Sequence, residues 1–277
     1  MKKLFSIIAM LFLSSCLFAA NVINMKLGKF DVTAIKIQSM DHKKDLFRYK
    51  DSKKLEEILN QKDSTASAIN VFYVDTGDHK ILFDTGINAQ ILLDVLKSIK
   101  VEPKNIDTIC ITHMHFDHIA GLIQDYNRVF PKADIYIAQE EVDANKTSEI
   151  LLAYPNRIKQ FKQNEQIFPF IKTIPAFGHT LGHTMFEVTS DGQTMLVWGD
   201  ILHAPIQFQD PNIYLIYDTD PIQALSVRKK VMKEYADTDT YIAGAHLLNC
   251  GIGKLKKDKQ ATSLIFYKNN IKTKFYI

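Results

Sequence analysis

Apolar and polar positions alternate through the first third of the chain. In "NMKLGKFDVTAIKI" (residues 24–37) the apolar side chains recur at every second position around Gly28-Lys29, which predicts a hairpin turning there. Residues 39–68 are polar and charged, with a short helix predicted at Lys53–Leu59. "SAINVFYVDTGDHKILFDTG" (67–86) predicts two strands, Ile69–Val74 and Lys80–Phe83, joined by a tight turn at Asp75–Asp78. A helix follows at Ala89–Ile99, and "IDTICIT" (106–112) reads as a buried strand. A helix-like stretch comes after residue 112, then the strand "ADIYIA" (133–138) and a polar helical region, Gln139–Gln163, broken at Tyr154-Pro155. The strands "IKTIPA", "TMFEVTS" and "QTMLVWGD" come next, the last two turning at Asp191-Gly192. A long helix, Pro221–Tyr235, precedes the strand "TYIAGAH". Strands, then alternating strands and helices, then strands again imply an α/β sandwich rich in sheet, with helices on the outside.

The N-terminus stands apart from this pattern. Lys2 and Lys3 precede an apolar run, Leu4–Leu13, the size of a signal h-region and too short to span a bilayer. Residues 1–20 are therefore expected to be an export leader, and residues 21–277 a single periplasmic domain. Two exits are written after the run: cleavage near Asn21, or a lipid anchor at Cys16 in "LSSC". The remainder shows no second apolar span, and so no transmembrane anchor is expected in the mature chain. Removing Lys2 and Lys3 takes the formal charge from +3 to +1, which argues against nucleic acid as a partner. The lysines at 254, 256, 257 and 259 read as a solvated turn. Cys110 and Cys250 read as buried free thiols.

The chemistry gathers at "THMHFDHIAG" (112–121), which carries three of the nine histidines and an aspartate within six positions. His113, His115, Asp117 and His118 follow one strand, His179 a second, Asp200 a third and His246 a fourth. Loops at strand ends are where sheet-based folds collect their sites. Imidazoles and carboxylates suit zinc, and also iron, manganese or cobalt. Five histidines and two aspartates exceed one tetrahedral ion and suffice for two, with a carboxylate bridging them.

The motifs "THMHFDH", "GHTLGH", "WGD" and "GAH" resemble those of the metallo-β-lactamase fold superfamily, over nearly all of the chain from about Asn21. "GDILHAPIQFQDP", "YDTDPIQALSVRKK" and "YIAGAHLLNCGIG" resemble the methyl parathion hydrolase-like and lactonase branch. The resemblance implies an αββα sandwich of two mixed sheets with outer helices, and two divalent metal ions, zinc first among them. It assigns His113, His115 and His179 to one ion, Asp117, His118 and His246 to the other, and Asp200 to the bridge. His183 then becomes a supporting residue. Asp84 in "LFDTG" is either an acceptor for a ligand imidazole or a plain turn residue, and His203 either faces the pocket or is structural. His42 and His79, in polar loops, are expected to be idle, and Phe116 to pack or wall the pocket. A homodimer is also implied.

The implied reaction is attack on a small-molecule ester or lactone, with phosphotriester cleavage as a side activity, by a hydroxide shared between the ions. Asp117 would relay a proton and Asp200 would hold both ions. No Gly-x-Ser-x-Gly or phosphate loop is present. Asp200 stands where true β-lactamases carry cysteine, and His115 where the flavin-linked di-iron branch carries glutamate. A glyoxalase II-type thioesterase, a mononuclear-iron persulfide dioxygenase and an inactive metal-binding protein remain as alternatives. Phe47, Tyr49, Tyr154, Phe161, Phe168, Phe170 and Phe208 are candidates for an apolar pocket, with core packing the alternative for each.

Overall fold

The computed structural model describes residues 22–257, 262–267 and 273–274. The expected leader, Cys16 and Lys259 lie outside them. One sheet contains β1 (Val22–Leu27), β2 (Phe30–Asp41), β3 (Ala66–Asp75), β4 (Lys80–Phe83), β5 (Thr108–Cys110), β6 (Asp134–Ala138) and β7 (Ile158–Phe161). The other contains β8 (Gln166–Phe168), β9 (Ile171–Pro175), β10 (Thr184–Ser190), β11 (Gln193–Gly199), β12 (Tyr241–Gly244), β13 (Ile252–Lys257), β14 (Thr262–Phe266) and β15 (Thr273–Lys274). In both sheets the spatial order follows the chain order. β1 to β4 pair antiparallel and β4 to β7 parallel. In the second sheet β11 and β12 pair parallel, and the other neighbours antiparallel.

Parallel neighbours need crossovers, and helices supply them. Ala89–Ser98 links β4 to β5 and is capped by the Asn88 side chain, which accepts from the Ile91 N–H. Pro221–Tyr235 links β11 to β12, with Asp220 as its cap and Pro221 in its first turn.

Side-chain parity builds the layers. Val32, Ala34, Phe72, Val74, Ile81 and Phe83 point between the sheets, where they meet Phe186, Val188, Met195 and Val197. The alternate residues Ile35, Val71, Tyr73, Leu82 and Ile109 point outward, against Leu92, Val95 and Leu96 of the first helix. Met185, Leu196, Trp198 and Ile242 do the same on the second sheet, against Val231 and Met232. The central strands therefore bury both faces over much of their length, which is why runs such as Val71–Val74 and Met195–Trp198 are apolar without a gap. The result is the expected αββα sandwich. Among the described residues, no helix is long and apolar enough to cross a membrane.

Three expectations need correction. Ile158–Phe161 is a strand rather than helix: residues after Pro155 pair parallel with β6, while the helical region shrinks to Gln139–Ala144 and Glu149–Ala153. Lys254, Lys256 and Lys257 lie in β13 rather than in a turn, because Leu255 is buried and the strand ladders onto β14. Lys254 and Lys256 pair instead with Asp239 and Asp237. The helix-like stretch after residue 112 is one turn at Phe116–Ile119 and a 3₁₀ turn at Ala120–Leu122. Cys110 and Cys250 are buried free thiols, as expected.

Strand direction places the site. β2, β4 and β5 run the same way, and so do β9, β11 and β12, so their C-terminal ends collect at one edge of each sheet. The two edges are sewn together by Asn70, a buried amide in the middle of β3. Its Nδ2 donates to the carbonyls of Gly244, Ala245 and Leu247 at 3.1, 3.0 and 2.7 Å. The same turn is held by the Ser67 hydroxyl, which donates to the His246 carbonyl. Asn70→Ala should strand buried acceptors and destabilise the fold by on the order of 3 kcal/mol. Urea denaturation checks this. A loss below about 1 kcal/mol would mean that the turn after β12 is held by other contacts.

Candidate metal centre

The structure brings all seven predicted residues to that shared edge. His113, His115, Asp117 and His118 come from the loop after β5, His179 from the loop after β9, Asp200 from the end of β11 and His246 from the end of β12. His113, His115, His179 and Asp200 form one group whose donor atoms all lie within 4.8 Å of one another. Asp117, His118 and His246 form a second, and Asp200, His203 and His246 a third.

Asp200 is the hub. Its Oδ2 lies 3.1 Å from His179 Nε2, 3.1 Å from His246 Nε2, 3.2 Å from His203 Nε2 and 3.7 Å from His113 Nε2. Its Oδ1 lies 3.2 Å from His118 Nε2. Burial opposes ionisation of this carboxyl, but the surrounding imidazoles, His246 and His118 foremost, hold it well below the usual carboxylate range. The same field works in reverse on the rings. Burial disfavours the charged form of His179, yet Asp200 and Asp218 raise it to about 9. His113, buried and crowded by other imidazoles, is pushed well below its ordinary value.

Four of the rings are aimed by a partner on their far nitrogen. His118 Nδ1 meets Asp84 Oδ2 at 2.8 Å, His179 Nδ1 meets Asp218 Oδ1 at 2.9 Å and His246 Nδ1 meets the Ala68 carbonyl at 2.8 Å. His113 Nδ1 lies 3.1 Å from the Thr112 hydroxyl. Such partners set which nitrogen faces inward. Asp84 is thus an acceptor rather than a plain turn residue. Its carboxylate also receives the Thr112 N–H and hydroxyl, each at 2.8 Å. It does so from a left-handed backbone, φ 58°, which aspartate tolerates better than most residues.

His183 does not join the donor groups. Its Nδ1 bonds the Ala176 carbonyl and its Nε2 accepts the Asp200 N–H at 3.0 Å, so it supports the hub from below. Burial and His179 push it down to about 3, and it stays neutral to accept that bond. Gly199 makes the contact feasible. Its φ is +58°, and a Cβ there would stand 2.3 Å from His183 Nε2.

Buried orphan atoms test whether a cation fits. His113 Nε2, His118 Nε2, Asp200 Oδ1 and both nitrogens of His203 are buried without a hydrogen-bond partner among the described residues. The inward Nε2 atoms of His113 and His118 converge on the Asp200 carboxylate. Buried polar atoms seldom stay unpaired, and this set of imidazole nitrogens and carboxylate oxygens matches what divalent ions of the zinc type bind.

The centre floors a cleft of about 350 Å³. Met40, Ile69, Ile87, Phe116 and Tyr217 wall it, and no lysine or arginine is among its described lining residues. His42, expected to be idle, is buried in that wall. β2 runs to Asp41 and delivers it there, with its N–H bonded to the Thr65 carbonyl. Its ring packs 6.1 Å from His203 and 6.2 Å from His246, and both its nitrogens lack partners. Burial, then His246, lower it to about 4. His203 is buried and faces both the cleft and Asp200. His79 sits elsewhere, against Asp107 and Phe168. Phe116 is 69% exposed at the cleft rim rather than packed. None of the seven aromatic candidates lines the cleft, and Phe47, Tyr154 and Phe161 are core.

Sequence reasoning missed Asp218, Arg228 and Tyr217. Arg228 is buried on the Pro221–Tyr235 helix, 3.5 Å from Asp218 Oδ2, and donates to the carbonyls of Ile201, Pro211 and Ile213. It anchors both the carboxylate behind His179 and the segment after Asp200. Nothing in local spacing marks it. Its charge at a helical position reads as solvent-facing.

The chain is similar in sequence and fold to known proteins. The alignments cover about a fifth of the first curated relatives: 37% identity over 59 residues with exodeoxyribonuclease WalJ of Streptococcus pneumoniae, 21% of this chain and 22% of that one. An N-acyl homoserine lactonase of a Bacillus species is 26% identical over 151 residues, 52% of this chain and 58% of that one. Among solved structures, hydrolase AbOPH of the beta lactamase superfamily aligns with a TM-score of 0.82 at 26% identity, covering 91% of this chain and 99% of that one. AidC, described as a dizinc quorum-quenching lactonase, aligns with a TM-score of 0.80 at 24% identity over 90% and 98%, a likeness of fold. The model of the Metallo-beta-lactamase superfamily matches residues 64–246, a span that runs from just before β3 to His246 itself and takes in all seven residues of the centre. The chain belongs to the metallo-beta-lactamase superfamily.

Proposed function

We propose that the chain is a metal-dependent hydrolase that cleaves a carboxylic ester or lactone with an apolar body. The observation that carries this reading is the cleft: a floor of imidazoles and carboxylates beneath largely apolar walls, with no lysine or arginine among its described lining residues. A nucleic-acid substrate would call for lysine or arginine beside its phosphates, and an acyl-glutathione for partners to its carboxylates. A neutral phosphotriester makes no such demand and fits as a side substrate.

His113, His115 and His179 would hold one divalent ion, Asp117, His118 and His246 a second, and Asp200 would bridge them. Imidazole and carboxylate donors, with the dizinc description of AidC, favour zinc. Two such ions supply a water of lowered pKa and a Lewis acid for the carbonyl oxygen. The completeness of the Asp117–His118–His246 group speaks for two ions rather than a single iron.

The protein groups divide the remaining work. Asp200 is buried with its oxygens turned to imidazoles, so it holds and does not shuttle. Asp117 lines the cleft with a side chain 27% exposed, the one carboxylate of the set open to a leaving alkoxide, and is assigned the proton relay. His118 and His246 outweigh its burial and keep it ionised, so it can take the proton given up as the attacking water adds to the carbonyl and pass it to the leaving alkoxide. His42 and His203 bring buried ring nitrogens without hydrogen-bond partners to the cleft lining, and His42 is assigned to orient a polar atom of the substrate. The apolar walls exclude water from the rest.

Elemental analysis of purified protein should find close to two ions per chain, and chelation should abolish cleavage of lactones or aryl esters. His115→Ala should drop the ion count to about one. A chain without metal, or one that cleaves neither lactones nor aryl esters when metal is bound, would sink the proposal. Asp218→Asn keeps an acceptor for His179 but removes the charge, and should weaken the first ion about 10–100-fold by competition against a chromogenic chelator. Wild-type affinity in that variant would show that Asp218 only packs.

The reading includes export of the chain to the periplasm, with residues 1–20 as leader. Intact-mass measurement after expression in a bacterium should give an N-terminus near Asn21. A mass showing an acylated Cys16 would replace this with membrane anchoring.

A further inference from the structure

Beyond the donor set, the structure assigns Glu141 as a positioning residue that clamps together the two loops carrying the first ion's ligands. Glu141 belongs to the Gln139–Ala144 helix after β6 and is 1% exposed. It does not touch the cleft. Its Oε2 accepts the Met114 N–H at 2.8 Å, between His113 and His115. Its Oε1 accepts the Gly182 N–H at 2.8 Å and the Thr180 hydroxyl, both in the loop that begins with His179. One carboxylate thus receives three hydrogen bonds from two segments about 65 positions apart in the chain, and those segments supply all three histidines of the first group.

Carboxylates are suited to this because both oxygens accept and neither donates. No neutral side chain of the same shape offers that. The approach is also built for closeness from the other side. A Cβ on Gly182 would lie 2.7 Å from the Glu141 nitrogen and 2.8 Å from its Cγ. The second glycine of "GHTLGH" therefore makes room for the clamp. The second group has no share in it: His118 is aimed by Asp84 and His246 by Ala68.

The consequence is selective. Loosening Glu141 should let His115 and His179, now 3.0 Å apart between Nδ1 and Nε2, drift relative to each other, while Asp117, His118 and His246 stay put. Ligand geometry held from outside is worth about 10–100-fold in ion affinity.

Two variants test this, both read by equilibrium dialysis against zinc and by thermal unfolding. In Glu141→Gln the amide oxygen can still serve Thr180 and Gly182, but its NH₂ faces the Met114 N–H, donor against donor. Gly182→Ala reaches the same clamp from the opposite loop. We expect each to bind one zinc as tightly as wild type and the second about 10–100-fold more weakly. Glu141→Asp, which keeps the charge but is one carbon short, should recover only part of the loss. Two ions held at wild-type affinity in Glu141→Gln would overturn the assignment, even if its melting temperature fell, because the contact would then be structural only. Equal weakening of both ions would overturn it too. The inference rests on the two-ion part of the functional reading, so a wild-type chain that takes up no zinc overturns both. Wild-type chain that binds two ions and cleaves no ester or lactone overturns the substrate reading alone.

Discussion

Five imidazoles lean on one buried carboxylate, and the rest of the molecule is arranged around that crowd. Asp200 alone cannot satisfy the inward nitrogens of His113, His118, His179, His203 and His246, all within 3.7 Å of it. Left to themselves, such rings would share protons unevenly: His118 and His179 are raised and His113 and His183 lowered within one small volume. Positive charge placed among them relieves the frustration, and divalent cations provide it without the crowding of protons on neighbouring rings. The fold keeps the crowd from relaxing outward. Thr112, Asp84, Asp218 and the Ala68 carbonyl hold the far nitrogens, each from a different part of the chain.

That restraint explains a division of labour between the sheets. The first sheet supplies the loop with His113, His115, Asp117 and His118, and the second supplies His179, Asp200 and His246. Neither holds a complete centre. The geometry therefore depends on contacts that cross between them: Asn70 to the turn after β12, the Thr184 N–H to the Thr112 carbonyl, and Glu141 to residues 180–182. Side chains packed between the sheets fix their separation, and these polar ties fix the register of their edges. Rigid packing alone does not choose among nearby loop positions, because loops carry few apolar contacts.

Much of this was legible in the sequence, and the reason is periodicity. Alternation marked the strands around Phe72, Phe83 and Val197, and strand ends marked where ligands belong. The seven clustered residues were readable because histidine and aspartate are informative types at such ends. Ile158–Phe161 was not readable. A four-residue edge strand beside polar residues has too short a period to separate from a helix, and its identity comes from pairing with β6. His42, Glu141, Asp218 and Arg228 escaped for a different reason. Charged or polar residues in polar stretches read as solvated, and only the third dimension shows that these four are buried. The cleft walls escaped as well, since Met40, Ile69, Ile87 and Tyr217 come from four separate segments.

The chemistry proposed for the cleft follows from the division between a charged floor and largely apolar walls. Most polar atoms at its floor meet one another or turn toward the candidate cation site, and apart from His42 the walls are largely carbon. Along the walls a negatively charged substrate body loses its hydration and finds no lysine or arginine, so only the part that reaches the cation site at the floor would regain a counter-charge. A neutral ester or lactone loses little. It brings one carbonyl for the floor and apolar surface for the walls. The proposed selectivity would need no dedicated recognition group along the walls, because desolvation there penalises charged competitors. It also leaves room for breadth among neutral substrates, since apolar walls discriminate weakly between bodies of similar size.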